Sequence, residues 1–139
     1  MYNLKDTVDG YVGYRGREGH WSFLLHRVTG LGILLFLAVH IVDTSFVFFA
    51  PDLYTHMIEQ VYRSPLFQLG EIALVFCVIF HGINGLRIAV FDLFAQRAWL
   101  IPIQRRSILI TLIVTLVLWI PAAVWMFRSM LIHNFGLFS

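Results

Sequence analysis

The 139-residue sequence predicts an all-α membrane protein with three transmembrane helices and a short interfacial helix between the first and second. Three observations predict it. Hydrophobic residues make up 59% of the chain and charged residues 13%, where a soluble domain carries about half and about a quarter. Three apolar runs, at about 23–49, 66–91 and 108–131, each reach the roughly 20 residues that a spanning helix needs. The basic residues also fall unevenly about these runs. Lys5, Arg15, Arg17 and Arg27 precede or open the first, and Arg87, Arg97, Arg105 and Arg106 surround the loop between the second and third. Only Arg63 and Arg128 remain for the other side. Loops rich in Lys and Arg stay in the cytoplasm, so the N-terminus is expected there and the C-terminus outside.

The elements follow in order. Residues 1–22 begin "MYNLKDTVDGYVGYRGREGH", polar and glycine-rich, without the basic start, apolar centre and small-residue cleavage site of a signal peptide. They are expected to form a cytoplasmic arm, with span one retained. The link "PDLYTHMIEQVYRSP" opens and closes with proline. Leu53, Met57, Ile58 and Val61 recur in it at helical spacing, which predicts a short helix on the membrane surface. Trp21, Trp99, Trp125, Tyr54 and Tyr62 lie near the expected interfaces, where amphipathic rings settle. The sequence has no internal repeat, low-complexity tract or linker, so residues 1–139 are read as a single membrane domain. A net charge of +2 argues against nucleic-acid binding. The single cysteine, Cys77, has no partner for a disulfide or a cysteine-rich metal site and reads as packing.

Ionisable side chains within a span are rare and mark a site facing the bundle interior. In span one, His26 and His40 fall within about 40° of each other on one stripe, about 21 Å apart in depth. In span two, His81, Gly85, Ile88 and Asp92 form a similar stripe, with Arg87 about 9 Å nearer the cytoplasm than His81. Each has a plain reading. A lone histidine can hydrogen-bond to a neighbouring helix, and Asp43, a turn beyond His40, is a ready acceptor. His56 and His133 lie in or near the outer water layer, and His20 lies in the arm. Arg27 and Arg87 lie near an interface, where long side chains snorkel to phosphate. His81 is harder to dismiss, because Gly82 and Gly85 strip side chains from the helix beside it. That allows either close helix packing or the approach of a large flat ligand whose metal the imidazole could hold. Spacing leaves both readings open.

"HRVTG" at the start of the first span and "HGINGLR" followed by "FD" in the second resemble the cytochrome b membrane-anchor subunit of succinate dehydrogenase, respiratory complex II. The stretches "YRGREGHWSFLLHR" and "FHGINGLRIAVFDLFAQ" are similar to the bacterial, actinobacterial-type members. The likeness covers about residues 14–106, and the third span resembles the family only in being apolar. The resemblance implies a subunit of the bacterial cytoplasmic (inner) membrane that binds heme b and shares a site for ubiquinone or menaquinone. No catalysis is expected from this chain alone. The histidine six positions before the arginine of the second motif is a heme axial ligand in the family, and here that is His81. The resemblance gives the other ligand to a second hydrophobic anchor subunit. It puts His26 and Arg27 between the heme propionates and the quinone head, and Arg87 with the propionates. A serine three residues before the first-motif histidine helps to bind quinone in relatives. This chain has Phe23 there and Ser22 one residue earlier, a shift that turns the side chain by about 100°. Relatives often carry histidine after the second-motif arginine, where this chain has Ile88. FAD and iron–sulfur clusters are implied in partner subunits, a flavoprotein and an iron–sulfur protein. Quinone reduction needs protons and donors at both carbonyls. His26 suits the first need near neutral pH, and Arg27 can stabilise negative charge developing on a quinone oxygen. Two alternatives stay open: a heme-free structural anchor, and a self-sufficient cytochrome b using His40 and His81.

Overall fold

The computed structural model describes residues 18–94 and 101–137, and every described element is helical. Helix α1 spans Glu18–Phe49, α2 Pro51–His56, α3 Pro65–Phe94 and α4 Ile101–Phe135. A π-helical turn, Met57–Tyr62, continues α2. Among the described residues, three stretches are long and apolar enough to cross a membrane: Gly19–Phe49, Pro65–Phe94 and Pro102–Phe135. All three expected spans are therefore helices, and each is longer than its apolar run. Helix α1 starts by Glu18, α3 reaches Phe94 and α4 runs Ile101–Phe135, so each helix extends past the apolar run of 23–49, 66–91 or 108–131 expected within it. The reason is that backbone hydrogen bonding carries a helix past the hydrocarbon edge while side-chain polarity marks only that edge. So residues 18–22, expected in the arm, belong to α1. The arm before Glu18, with Lys5, Arg15 and Arg17, lies outside the described residues, as do Arg97 and Trp99.

Proline and glycine set the helix ends. Ala50 leaves helical geometry (φ −154°, ψ 70°) because the ring of Pro51 crowds the residue before it, and Pro51 then opens α2 without needing an N–H. Pro65 opens α3 in the same way. Gly136, at φ 62°, closes α4, and its N–H donates to the Ile132 carbonyl at 3.1 Å. Pro121 lies inside α4, which continues through it to Phe135, as membrane helices tolerate.

The bundle is polar inside and apolar outside. Helix α3 packs on both α1 and α4. Among the described residues the buried apolar side chains are Phe80, Ile108 and Met130, while Ser22, Thr29, Asp43, Asn84, Thr111 and Thr115 are buried polar ones. Leu31, Leu35, Leu86, Val117 and Trp125 face outward. Lipid supplies no hydrophobic drive for helix association, so small and hydrogen-bonding residues make the contacts instead. Thr115 donates to the Thr111 carbonyl at 2.8 Å, and the Trp119 indole donates to the Ile72 carbonyl at 3.0 Å. Cys77 packs opposite Gly32, in keeping with a packing role. The short helix expected in the link is present, with Met57, Ile58 and Val61 half-buried. Tyr62, at its end, donates its hydroxyl to Oδ2 of Asp43 and so ties the link to α1.

Candidate functional site

The site is built where α1 and α3 come closest. The imidazoles of His26 and His81 stack face to face, with ring centres 4.0 Å apart and planes 4° from parallel. Gly30 makes this possible, since a Cβ there would lie 2.8 Å from Cε1 of His81. Gly85 faces His26 from the other helix, with 3.6 Å available to a Cβ. Gly82, by contrast, meets nothing.

Hydrogen bonds orient the His81 ring. Its Nδ1 lies 3.0 Å from the His26 carbonyl oxygen and 3.4 Å from Oγ1 of Thr29. That hydroxyl already donates to the carbonyls of Leu25 and His26. Both groups can therefore only accept from His81, which puts the proton on Nδ1 and leaves the Nε2 lone pair free. An imidazole held at Nδ1 by a backbone carbonyl is the usual arrangement of a metal-ligating histidine.

Ser22 and Asn84 form the next layer. Ser22 is buried on α1 and donates to Oδ1 of Asn84 at 3.1 Å. Asn84 is fully buried, three residues beyond His81 and on the same side of α3. A cavity of about 270 Å³ between α1 and α4 reaches Ser22, lined also by Trp21, Leu25, Arg105 and Ile108. Farther along α3, Arg87 Nη1 donates to Oγ of Ser107 on α4 at 3.3 Å.

Four buried polar atoms at this end of the bundle have no partner among the described residues: His26 Nδ1, Asn84 Nδ2, Arg87 Nε and Gln104 Nε2. The last three can only donate. Each leaves about 1–3 kcal/mol of desolvation uncompensated until an acceptor arrives. The arrangement can thus hold a ligand that offers several acceptor oxygens and one metal coordination position.

Of the residues expected from sequence, His26 and His81 are in direct contact, and Ser22 joins them through Asn84. Arg87 lies beside them, tied to α4. Arg27 is exposed, with its guanidinium 5.3 Å from the centre of the Phe23 ring. His40 is exposed and stacks on Phe36, with ring centres 5.4 Å apart. Asp43 takes the Tyr62 hydroxyl rather than a proton from His40. Since His81 meets α1 at Gly30, His40 lies about 15 Å farther along that helix. Sequence reasoning missed Asn84, Gln104 and Ser107. Asn84 was within reach, as a polar side chain in a span on the His81 face. Nothing local marks Gln104 and Ser107, whose positions depend on how α4 packs. No group of three or more metal-ligating side chains occurs among the described residues.

A family model described as succinate dehydrogenase/fumarate reductase transmembrane subunit matches residues 13–122. The chain is 35% identical over 111 residues to the succinate dehydrogenase 2 membrane subunit SdhC of Mycobacterium tuberculosis, covering 80% of this chain and 79% of that one. It is 27% identical over 75 residues to a succinate dehydrogenase hydrophobic membrane anchor subunit of Halobacterium salinarum, covering 54% and 58%.

Proposed function

We propose that this chain, which belongs to the succinate dehydrogenase/fumarate reductase transmembrane subunit family, anchors its complex in the bacterial cytoplasmic membrane and helps to deliver electrons from succinate to a membrane quinone. The observation that carries this reading is the set of buried, unpartnered donors around His26 and His81. Heme propionates and quinone carbonyls are acceptors of the kind these atoms lack.

His81 would hold the iron of heme b through Nε2, with Nδ1 fixed by the His26 carbonyl. When bound, the heme would supply a one-electron relay whose potential follows its protein ligand and its burial. Arg87 and His26 would pair with its carboxylates, and Asn84 and Gln104 add donors to that ring. Arg27, on the exposed face of α1, is available to a quinone head held between this chain and a partner. His26 can pass a proton to a reduced quinone oxygen. A second hydrophobic anchor subunit would supply the other heme ligand, and the flavoprotein and iron–sulfur subunits would dock on the cytoplasmic side.

The test is the purified complex carrying His81→Ala. Its low-spin b-type absorption should vanish or convert while the complex still assembles at least in part. An unchanged spectrum would move the ligand elsewhere. One observation favours a second reading, a heme-free anchor: the His81 ring is already stacked on His26 within its own chain. A wild-type complex with no heme absorption would establish that reading.

A further inference from the structure

At the opposite end of the bundle, α3 and α4 enclose an open groove of about 470 Å³ on the outer surface of the bundle. Leu69 and Ile72 form one wall, and Trp119, Ala123 and Phe127 line the other. Arg128 lies near the outer end of this lining, with Leu131 one turn beyond it, and is its only charged residue. Its guanidinium has no ion pair or hydrogen bond among the described residues. We propose that this groove binds one acyl chain of an anionic phospholipid, with the lipid phosphate on Arg128, in the leaflet at the C-terminal end of α4.

Depth, size and charge each support that occupant. Trp119 lies at the centre of the Pro102–Phe135 span, and Arg128 lies about 14 Å from that centre. Half the hydrocarbon core is about 15 Å thick, so the guanidinium sits at phosphate level while the groove runs down to mid-membrane. At about 470 Å³ the groove lies within the roughly 300–1,000 Å³ of sites for single small ligands, a size that suits one fatty chain. The groove is built rather than incidental. The Trp119 ring is pinned by its bond to the Ile72 carbonyl and packs edge-on to Phe76, with ring centres 5.5 Å apart. Ala123 leaves the space above it open. Arginine's planar fork takes a phosphate in two bonds, and in an anionic head that phosphate is not already neutralised by a choline cation, as it is in a zwitterionic one. An isoprenoid tail would fill the groove without using the charge. A protein helix seated here would need an acid to cover Arg128.

The experiment uses the whole complex, exchanged into neutral detergent and phosphatidylcholine, then offered phosphatidylglycerol and quantified for retained lipid by mass spectrometry. Wild-type should retain phosphatidylglycerol over phosphatidylcholine by about tenfold. Arg128→Gln, at an exposed position, should abolish that preference, a loss of about 1.4 kcal/mol. Ala123→Trp should lower retention of both lipids by filling the groove. Unchanged selectivity in Arg128→Gln overturns the proposal, as does displacement of the lipid by inorganic phosphate alone, which would make this a free-anion site. Photo-crosslinking from position 124 to another polypeptide rather than to lipid would also overturn it. None of these readouts depends on heme or quinone.

Discussion

Ser22 and Arg27 lie five residues apart on α1, yet they face different surroundings, so their replacement should fail in different ways. Ser22→Ala strands the Asn84 carbonyl oxygen in the interior, at about 1–3 kcal/mol. We expect less assembled complex, with quinone reductase activity per assembled complex falling less than tenfold. Arg27→Lys keeps the charge and loses the planar fork. Quinone reduction should drop at least tenfold, about 1.4 kcal/mol of transition-state stabilisation. Succinate oxidation with an acceptor that takes electrons before the membrane should be spared. Full activity in the Lys variant would make Arg27 an interfacial side chain only. Tyr62, outside the spans, gives a pH signature. Burial first, then the hydrogen bond to Asp43 and its charge, push its phenol up from 10.0 to about 12. The fold favours the protonated form, so the tie to α1 is intact below pH 10 and is lost as pH climbs towards about 12. An alkaline ultraviolet titration should show a late phenol step that is absent in Tyr62→Phe.

At the level of elements, the three spans were legible because length and apolarity alone decide whether a helix can cross a bilayer. Their ends were not, since Glu18 to Ser22 and Ile101 to Ser107 are helical without being uniformly apolar. The link helix was legible from Leu53, Met57, Ile58 and Val61, but its π-helical turn has no sequence sign. The stacking of His26 on His81 was half legible. Each stripe could be drawn, but the matching of stripes between helices turns on Gly30, whose missing side chain only packing reveals. Helix α4 looked like featureless grease, yet it brings Gln104 and Ser107 to the site. That permits a test with opposite outcomes. If Gln104 Nε2 serves a ligand, Gln104→Leu should lower quinone reductase activity or heme retention about tenfold, a loss of about 1.4 kcal/mol. If the atom is merely stranded, the same change removes a buried unpaired donor, and the variant should melt higher with activity intact.

For the whole molecule, three spans require the two ends of the chain to lie on opposite sides of the membrane. Cysteines placed in the arm and at position 137 should label from the cytoplasm and from outside respectively; labelling from one side would rule out three spans. The packing order also bears on synthesis. Tyr62 and Asp43 are 19 residues apart, and the His26–His81 contact closes entirely within α1 and α3. A nascent chain can therefore finish this hairpin before α4 emerges from the ribosome. Arg87 cannot finish, since Ser107 is 20 residues downstream. At about 5–20 residues per second, the ribosome takes roughly one to four seconds to supply it. During that interval the guanidinium must find lipid phosphate or water. The histidine pair is thus the early product of translation, and the donor ring around it closes only when the last helix arrives.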